Sequence, residues 1–350
     1  MKLRKRKKNP MRPTTKDLAE AAGVSLATVD RVLNDRPNVS KKARTRVHDA
    51  IDRIGFVRNF AAVSLARGRQ HRYRFVLPTA GDQYMNEILV RIDQAADALR
   101  GDAVGIDVVR VDTSDPHLLA NYLASIETGE ISGLAVMTPE TPPVRDAILR
   151  LQERGGYVVE FLSGRKENVD LDFVGIDNFA AGATAARLLG RFHQESTGSI
   201  MVISATMHGL DSIQRRFGFD NVINANFPHL RCLPTLETYN GLERAKTIIE
   251  NQFRTYPDIT AIYCMSSEAR LPIEIANNIR DLSDLNVIVH ERTPFTENAL
   301  KAGSVDAVIG QNPGHAVRSA IRVLRALSEG RDGQKGQDKI RIEILLAENL

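Results

Sequence analysis

Residues 23–34 read GVSLATVDRVLN and carry side chains whose types and spacing suit contact with a nucleic acid. Ser25 and Thr28 are short hydroxyl donors suited to phosphate oxygens, and Arg31 could reach a guanine edge or a phosphate. Asp30 lies beside Arg31, although a carboxylate repels a polyanion. This acid could hold a neighbouring basic side chain in position, accept from a cytosine amino group, or be a surface charge that basic surroundings outweigh.

The residue types that usually carry enzyme or metal chemistry are scattered along the chain. His208, His290 and His315 lack H-E-x-x-H spacing, and the sequence has no nucleophile elbow, P-loop or dinucleotide-binding glycine pattern. Cys232 and Cys264 are too few for a disulfide framework or a metal cluster, which predicts free thiols in a reducing cytoplasm. We therefore expect neither enzyme activity nor a cofactor nor a metal.

The charge of the chain is divided unevenly along its length. Residues 1–72 contain 19 Lys and Arg against 6 Asp and Glu, whereas the remaining 278 residues contain 28 against 37. A small basic module is thus joined to a large acidic one, which predicts a polyanionic partner for the first module only. The 350 residues suggest two or three globular domains. The sequence has no run of about 18 apolar residues and no signal peptide. We therefore expect that the chain neither spans a membrane nor is exported.

Three short amphipathic helices are predicted within residues 14–55. Thr14, Ser25 and Ser40 each stand where a side chain can cap the start of a helix, and Asp17 completes a capping-box-like pair with Thr14. Apolar residues then recur at helical spacing. The residues predicted to face the core are Leu18, Ala19, Ala22, Val29, Val32, Leu33, Ala43, Val47, Ile51 and Ile54. The spacing of Ala19, Gly23 and Val29 is typical of a helix-turn-helix, because a small residue and a glycine allow two helices to approach closely.

Residues 14–68 resemble the DNA-binding head of the lactose/galactose-repressor (LacI/GalR) family. The matching features are DLAEAAGVS, TVxRVLN, the VS before the third helix, the IGF turn and an N-x-x-A-x-x-L-A segment. The resemblance implies a cytoplasmic bacterial regulator that binds a pseudo-palindromic double-stranded operator as a homodimer. It also implies that Leu26 and Ala27 read base edges, for which thymine methyl groups suit their apolar side chains. The family often has Ser at the position of Asp30, so the acid is a departure.

The same resemblance identifies a hinge helix after the third helix. Asn59 can cap it, small residues at 61 and 62 would allow two such helices to meet at a dimer axis, and Leu65 matches an apolar wedge inserted into the minor groove. Arg58 stands where many members have Pro, which could change the start of the hinge or add a phosphate contact. The predicted DNA contacts are Thr14, Ser25, Leu26, Ala27, Thr28, Asp30, Arg31, Asn34, Asn59, Ala62 and Leu65.

From Tyr73 onward, short apolar runs alternate with helical stretches for about 260 residues. This alternation predicts an α/β core of two Rossmann-like lobes with parallel sheets, behind an all-α head. The order resembles the type I periplasmic-binding-protein fold, in which ligand lies in the cleft between the lobes. The stretches VGIDN and IGQNPGHAVRSAI favour its ribose-binder-like branch.

The resemblance also implies a polar cleft beyond the strand ends. Arg215 matches an arginine that contacts ligand hydroxyls or carboxylates, and Glu291 stands where the family has an Asp. The predicted effector residues are Asp82, Tyr84, Asp177, Asn178, Arg215, Ser266, Glu291 and Gln311. Arg215 could instead pair with a surface acid, Asp177 could cap a helix, and Asp82 could lie in a solvated turn. The set suits a sugar, a polyol or a sugar acid.

These patterns predict a ligand-responsive transcriptional regulator, with repression of sugar or polyol genes as the expected role. The alternatives are a transport-type sugar-binding protein, a sugar-sensing activator, or a sugar enzyme with a regulatory head. The predicted segments are a basic tail (1–13), a helix-turn-helix domain (14–58), a hinge (59–69) and a core (70–350). Within the core we expect an N-lobe of about 72–176 plus 312–338 and a C-lobe of about 177–311 plus 339–350. The C-terminal KIRIEILLAENL has no leucine heptads, which favours a dimer over a tetramer.

Overall fold

The computed structural model divides the chain into two compact units, with the division between residues 69 and 70. The first unit is a helical head and the second is an α/β core. The structure describes residues 13–33, 39–54, 56, 71–81, 83–102, 104–113, 115–137, 141–164, 171–193, 197–331 and 340–350. Asn34, Arg58, Asn59, Ala62, Leu65 and Asp82, which carry sequence predictions, lie outside these residues.

The head contains three helices, α1 (Thr15–Ala22), α2 (Leu26–Leu33) and α3 (Lys41–Ile54). Thr14 and Asp17 form a capping box, in which the Thr14 amide donates to Asp17 Oδ2 over 2.7 Å. Gly23 ends α1 with a φ of 59°, a left-handed conformation that suits a residue without Cβ. The Ser25 and Ser40 hydroxyls accept from amides three residues later, each over 3.2 Å. The sequence-predicted caps are therefore present.

The core of the head is smaller than the helical spacing predicts. Its buried apolar residues are Leu18, Ala19, Ala22, Val29, Val32, Val47, Ala50 and Phe56. Leu33, Ile51 and Ile54 pack only at the edge of this cluster, because a three-helix unit this short has little interior. Ala43, also predicted to face the core, is half-buried and lies outside the cluster. Two arginines of α3 also support the fold: Arg46 Nη2 donates to the Gly23 carbonyl over 2.9 Å, and Arg53 donates to the Ala21 carbonyl.

The first lobe of the core is a five-stranded parallel sheet in the order β2-β1-β3-β4-β5. Its strands are β1 (His71–Pro78), β2 (Val104–Val111), β3 (Gly133–Val136), β4 (Val158–Phe161) and β5 (Asp172–Val174). Its helices are α4 (Gln83–Leu99), α5 (Pro116–Ser125), α6 (Pro142–Glu153) and α12 (Pro313–Ser328). The helix α12 returns from a distant part of the sequence and packs on β1, β3, β4, β5 and α4. The predicted α/β fold class is confirmed.

The second lobe has a seven-stranded sheet in the order β12-β11-β10-β9-β6-β7, with β8 also paired to β6. Its strands are β6 (Gly198–Ser204), β7 (Leu230–Cys232), β8 (Leu236–Glu237), β9 (Ile259–Cys264), β10 (Asn286–His290), β11 (Ala307–Gly310) and the antiparallel β12 (Glu343–Leu345). Its helices are α7 (Asn178–Phe192), α8 (Leu210–Asn226), α9 (Leu242–Thr255), α10 (Arg270–Ile279) and α11 (Pro294–Ala302). The chain passes between the lobes after β5, after β11 and before β12, so the carboxyl ends of strands from both lobes meet at one cleft.

The helices α7 and α8 approach each other through glycine. A Cβ atom on Gly182 of α7 would lie 1.9 Å from the Arg215 carbonyl oxygen, and one on Gly218 of α8 would lie 2.0 Å from the Phe179 carbonyl oxygen. Both clashes involve backbone, which cannot move aside as a flexible side chain can. Glycine at these two positions therefore sets the distance between the helices.

We predict that Gly182→Ala lowers the free energy of unfolding of the core by about 1–3 kcal/mol. The clash with the Arg215 carbonyl outweighs the gain in helix propensity, which is about 1 kcal/mol. Urea denaturation followed by circular dichroism measures the change. Gly129→Ala is the matched control, because nothing lies within 4 Å of the added Cβ atom. Equal stability of the two variants would contradict this account of the helix contact.

Candidate functional site

Arg215 lies at the centre of a buried polar cluster, with 3% of the residue exposed. Each of its three guanidinium nitrogens donates a hydrogen bond to a different element. Nε donates to Asn178 Oδ1 over 2.9 Å, Nη1 to the Met265 carbonyl over 2.7 Å, and Nη2 to Glu291 Oε1 over 3.2 Å. A buried cation is costly unless it is paired and hydrogen-bonded, and these contacts provide both.

Glu291 follows β10 and adopts an unusual backbone conformation, with a φ of 64°. Non-glycine residues rarely occupy this left-handed region, and such strain tends to cluster at functional sites. Its carboxylate also accepts from Gln311 Nε2 over 3.4 Å. Burial raises the pKa of Glu291, although the Arg215 charge opposes this shift. For Arg215 burial lowers the pKa, but Glu291 and other neighbours outweigh burial, so the pKa is raised.

The first lobe contributes Tyr84, the second residue of α4, to the same cluster. Tyr84 is 3% exposed, and burial raises its pKa well above the usual value near 10. The charges of Glu291 and Arg215 also act on this pKa, so the phenol lies near both side chains. The cluster therefore joins the two lobes.

Several buried polar atoms of the cluster lack a hydrogen-bond partner among the described residues. These atoms are Tyr84 Oη, Asn178 Nδ2, Glu291 Oε2 and Gln311 Oε1. An unsatisfied buried polar group costs roughly 1–3 kcal/mol, so four in one place call for an explanation. Two are acceptors only, one is a donor and the phenol can do either, which is a set that hydroxyl groups can satisfy.

The remaining predicted effector residues have structural contacts near this cluster. The Ser266 hydroxyl accepts from the Ala205 amide, which joins the ends of β9 and β6. Asp177 caps α7, where its Oδ1 accepts from the Ala180 amide over 3.0 Å. The structure thus brings Tyr84, Asn178, Arg215, Glu291 and Gln311 together, and gives Ser266 and Asp177 positions beside them.

His290, whose spacing in the sequence indicated no metal site, lies in the interior at the end of β10. His290 Nε2 and the Tyr263 hydroxyl form a hydrogen bond of 2.9 Å, and both residues are fully buried. The Tyr263 ring stacks on Phe219, with ring centroids 4.3 Å apart. Burial lowers the pKa of His290 well below its usual value near 6.5, and the Arg215 charge adds to this shift. In the sequence, the position of His290 directly before Glu291 is the feature that indicates its closeness to the cluster.

In the head, α2 presents an apolar start to solvent. Leu26 is 47% exposed, and Ala27 and Arg31 are also exposed, whereas Thr28 and Asp30 are half-buried. The Ser25 and Thr28 hydroxyls form a hydrogen bond of 2.9 Å with each other, so one of their two hydroxyl hydrogens is used within the head. Thr14 is exposed at the start of α1. The described DNA-contact candidates thus lie along α2 and at the start of α1.

A helix-turn-helix head joined to a two-lobed core with a polar cleft defines a class of sensor protein. The sequence profile of the bacterial regulatory proteins, lacI family, matches residues 14–59, and that of the periplasmic binding protein domain matches residues 73–332. The chain belongs to the periplasmic binding protein domain family through its core and carries the head of the lacI family of regulators. The predicted family is confirmed.

Several similar proteins are named as regulators. The chain is 24% identical over 261 residues to the HTH-type transcriptional regulator GntR of Escherichia coli, covering 73% of this chain and 74% of that protein. It is 27% identical over 182 residues to the regulator DegA of Bacillus subtilis, covering 51% and 52%. A third match, to the uncharacterized regulator YkvZ of Bacillus subtilis, is 43% identical but covers 23% of this chain and 25% of that protein. The chain thus spans between a quarter and three quarters of these relatives.

Solved structures share the fold of the core. A putative LacI transcriptional regulator from Bacteroides fragilis matches with a TM-score of 0.72 and 19% identity, over 80% of this chain and 98% of that one. A solute-binding protein from Burkholderia graminis, in complex with D-arabinose, matches with a TM-score of 0.71 and 20% identity, over 79% and 96%. At this level of identity the likeness establishes the fold.

Membrane-spanning helices and metal-binding clusters are both absent from the described ranges. No described helix is long and apolar enough to cross a membrane. No group of three or more His, Cys, Asp or Glu side chains in the described part of the chain could hold a metal ion.

We predict that His290 makes the core less stable at acidic pH. The folded core holds a neutral imidazole, whereas the unfolded chain binds a proton below pH 6.5. Because the unfolded state then binds more protons, the free energy of unfolding falls by about 1.4 kcal/mol per pH unit below that pH. Urea denaturation at pH 7.5, 6.0 and 5.0 measures the slope, which His290→Gln should reduce.

His117→Gln is the control for this experiment, because His117 is an exposed histidine of the first lobe. This variant should keep the slope of the wild-type protein. A His290→Gln variant with the wild-type slope would show that another group causes the acid sensitivity.

Proposed function

We propose that this protein is a cytoplasmic, ligand-responsive transcriptional regulator that represses genes for the uptake or breakdown of a sugar or polyol. The observation that carries the proposal is that a lacI-family head and a buried polar cluster with unpartnered atoms occur in one chain. The relatives DegA and GntR are named as regulators rather than enzymes, which supports a role without catalysis. Residues 14–58 would be the DNA-binding domain, 59–69 the hinge and 70–350 the effector core.

The effector that suits the cluster is a small polyhydroxylated molecule. A hydroxyl can donate to Glu291 Oε2 or Gln311 Oε1 and accept from Asn178 Nδ2, which are the atoms left without partners among the described residues. One similar solved structure holds D-arabinose, and another relative is the sucrose operon repressor of Streptococcus mutans, 23% identical over 81% of this chain and 83% of that protein. We assign the predicted effector residues, including Asp177, Ser266 and Asp82, to this cleft.

Binding of effector would couple the cleft to DNA through the relative position of the lobes. Tyr84 belongs to the first lobe, whereas Arg215, Glu291 and Asn178 belong to the second, so a ligand that satisfies both groups favours the closed cleft. Closure would shift the hinge and change operator affinity. The coupling is reciprocal, so an effector that weakens operator binding must itself bind more weakly to the operator complex.

On DNA we propose a homodimer on a pseudo-palindromic operator. The start of α2 would lie in the major groove, where the exposed Leu26 and Ala27 contact thymine methyl groups and Arg31 contacts a base edge or a phosphate. Asp30, half-buried on the same helix, would orient a basic side chain, with cytosine readout as the alternative role. In the hinge, Leu65 would insert between base steps of the central minor groove as an apolar wedge.

A transport-type sugar-binding protein and a sugar-sensing activator are the alternative functions. A screen of sugars, polyols and sugar acids by thermal shift identifies the effector, because a ligand that binds the folded state raises apparent stability. Operator binding by the whole chain would exclude the transport role, and reporter transcription with and without the effector distinguishes repressor from activator. Chemical conversion of the bound ligand would instead favour a sugar enzyme with a regulatory head.

We predict that Arg215→Ala abolishes the response to effector and leaves operator affinity within about twofold. The variant removes the cation that organises Asn178 and Glu291, whereas the operator is bound by the head. Calorimetric titration of effector and fluorescence anisotropy with operator duplex measure the two effects. Arg231→Ala is the control, because this exposed arginine pairs with Asp258 at the far end of the second-lobe sheet. An unchanged effector dissociation constant in Arg215→Ala would remove Arg215 from the site.

We predict that Leu26→Ala weakens binding to the specific operator by about fivefold and leaves binding to non-specific duplex unchanged, because about 1 kcal/mol of apolar contact is lost. Anisotropy titrations of both duplexes at one salt concentration provide the comparison. Lys16→Ala is the contrasting variant, since loss of an exposed positive charge of the head should weaken both duplexes alike. Equal losses on both duplexes for Leu26→Ala would contradict base contact by this residue.

A further inference from the structure

Two helix N-termini at the cleft, one in each lobe, are capped by a side chain of the opposite lobe. The Glu268 carboxylate, in the loop after β9, accepts from the Gln83 and Tyr84 amides at the start of α4, each over 3.2 Å. The Gln83 side-chain carbonyl accepts in return from the Phe295 amide at the start of α11, over 2.9 Å. These contacts, which we call the reciprocal clasp, join residues 185 and 212 positions apart in sequence.

The clasp lies directly beside the polar cluster. Tyr84 donates its amide to Glu268, while its phenol lies next to Glu291 and Gln311. Met265, whose carbonyl accepts from Arg215, is three residues before Glu268 in the same loop. A ligand that fills the cluster would therefore lie close to the Glu268 carboxylate.

The clasp fills the N-terminus of α4, a position that attracts negative charge. A helix N-terminus carries partial positive charge and free amide groups, which together attract anions. At α4 this position already holds a carboxylate of the protein itself. A ligand carboxylate or phosphate would have to displace Glu268 from two amide donors or approach it at close range.

The positive charge of Arg215 is also balanced by carboxylates of the protein. Arg215 pairs with Glu291, and Asp211 also acts on its charge. Arg292, next to Glu291 in sequence, is partly exposed and pairs with Glu297 over 2.6 Å. Glu268 and Glu291 thus place a carboxylate at the clasp and another in the cluster. The unpartnered atoms of the cluster include a carboxylate oxygen and an amide oxygen, which repel an anion and accept from a hydroxyl.

We infer that Glu268 is a specificity-determining residue that restricts the cleft to effectors without an acidic group. The inference rests on the proposed function and narrows it to uncharged sugars and polyols, excluding sugar acids and sugar phosphates. Its physical basis is repulsion between like charges in a partly desolvated cleft, where screening by water is weak. A charge placed against the wrong ligand is a common means of specificity.

The test compares each uncharged compound with its acid in the full-length protein. The pairs are glucose with glucuronate, galactose with galacturonate, and sorbitol with gluconate, measured by thermal shift and then by calorimetric dissociation constants. The wild-type protein should prefer the uncharged member of a pair by about tenfold or more, a ratio that corresponds to about 1.4 kcal/mol. Glu268→Gln removes the charge and keeps the size, so it should lower this ratio about tenfold, chiefly by improved binding of the acid.

Gln83→Ala is the matched control, because it breaks the other half of the reciprocal clasp without changing the charge. This variant should weaken both members of a pair equally and keep their ratio. An acid that binds the wild-type protein as tightly as its uncharged partner would overturn the role of Glu268 but leave the proposed function intact. An unchanged ratio in Glu268→Gln, or a ratio that falls equally in Gln83→Ala, would also overturn it. A broad screen of sugars and polyols could also leave the melting temperatures of the wild-type protein and Glu268→Gln unchanged. The proposed effector class would then be wrong, and the inference about Glu268 with it.

Discussion

The guanidinium of Arg215 imposes the main constraint on the core, because it carries a full charge on a buried side chain. Such a charge is tolerable only when every nitrogen finds an acceptor and a carboxylate balances it. Its acceptors come from the start of α7, the end of β9 and the residue after β10. The ends of these elements must therefore meet at one point, and the cleft is formed where they meet.

Close packing of α7 and α8 makes this meeting possible. Gly182 and Gly218 bring the two helices within backbone contact, so that Asn178 at the start of α7 reaches Arg215 on α8. The left-handed conformation of Glu291 then turns its carboxylate toward the same cation. The strain at Glu291 and the loss of side chains at the two glycines are local costs, offset by pairing of the buried charge. Tyr84 and the reciprocal clasp extend this arrangement into the first lobe.

Most of the fold and several residues of the candidate site could be predicted from the sequence. The caps at Thr14, Ser25 and Ser40 and the alternation of strands and helices depend on residues a few positions apart, so they can be recognised in the sequence. The resemblance to a known family also placed Arg215, Glu291 and Gln311 together, and their role in binding stays a prediction. It did not identify the Met265 carbonyl, because every residue has a carbonyl group. Nor did it identify His290 and Tyr263, whose pairing depends on how β9 and β10 align.

The sequence by itself determined the helix-turn-helix head, the α/β class of the core and the division of charge between them, because these follow from composition, local spacing and capping. Only the tertiary structure decided how the buried charge of Arg215 is compensated, across 37 residues to Asn178 and 76 to Glu291. It also decided that Glu268 caps a helix of the opposite lobe. Such contacts depend on which strand ends meet in the folded core. Residues so far apart in the chain form no local sequence pattern from which these contacts could be predicted.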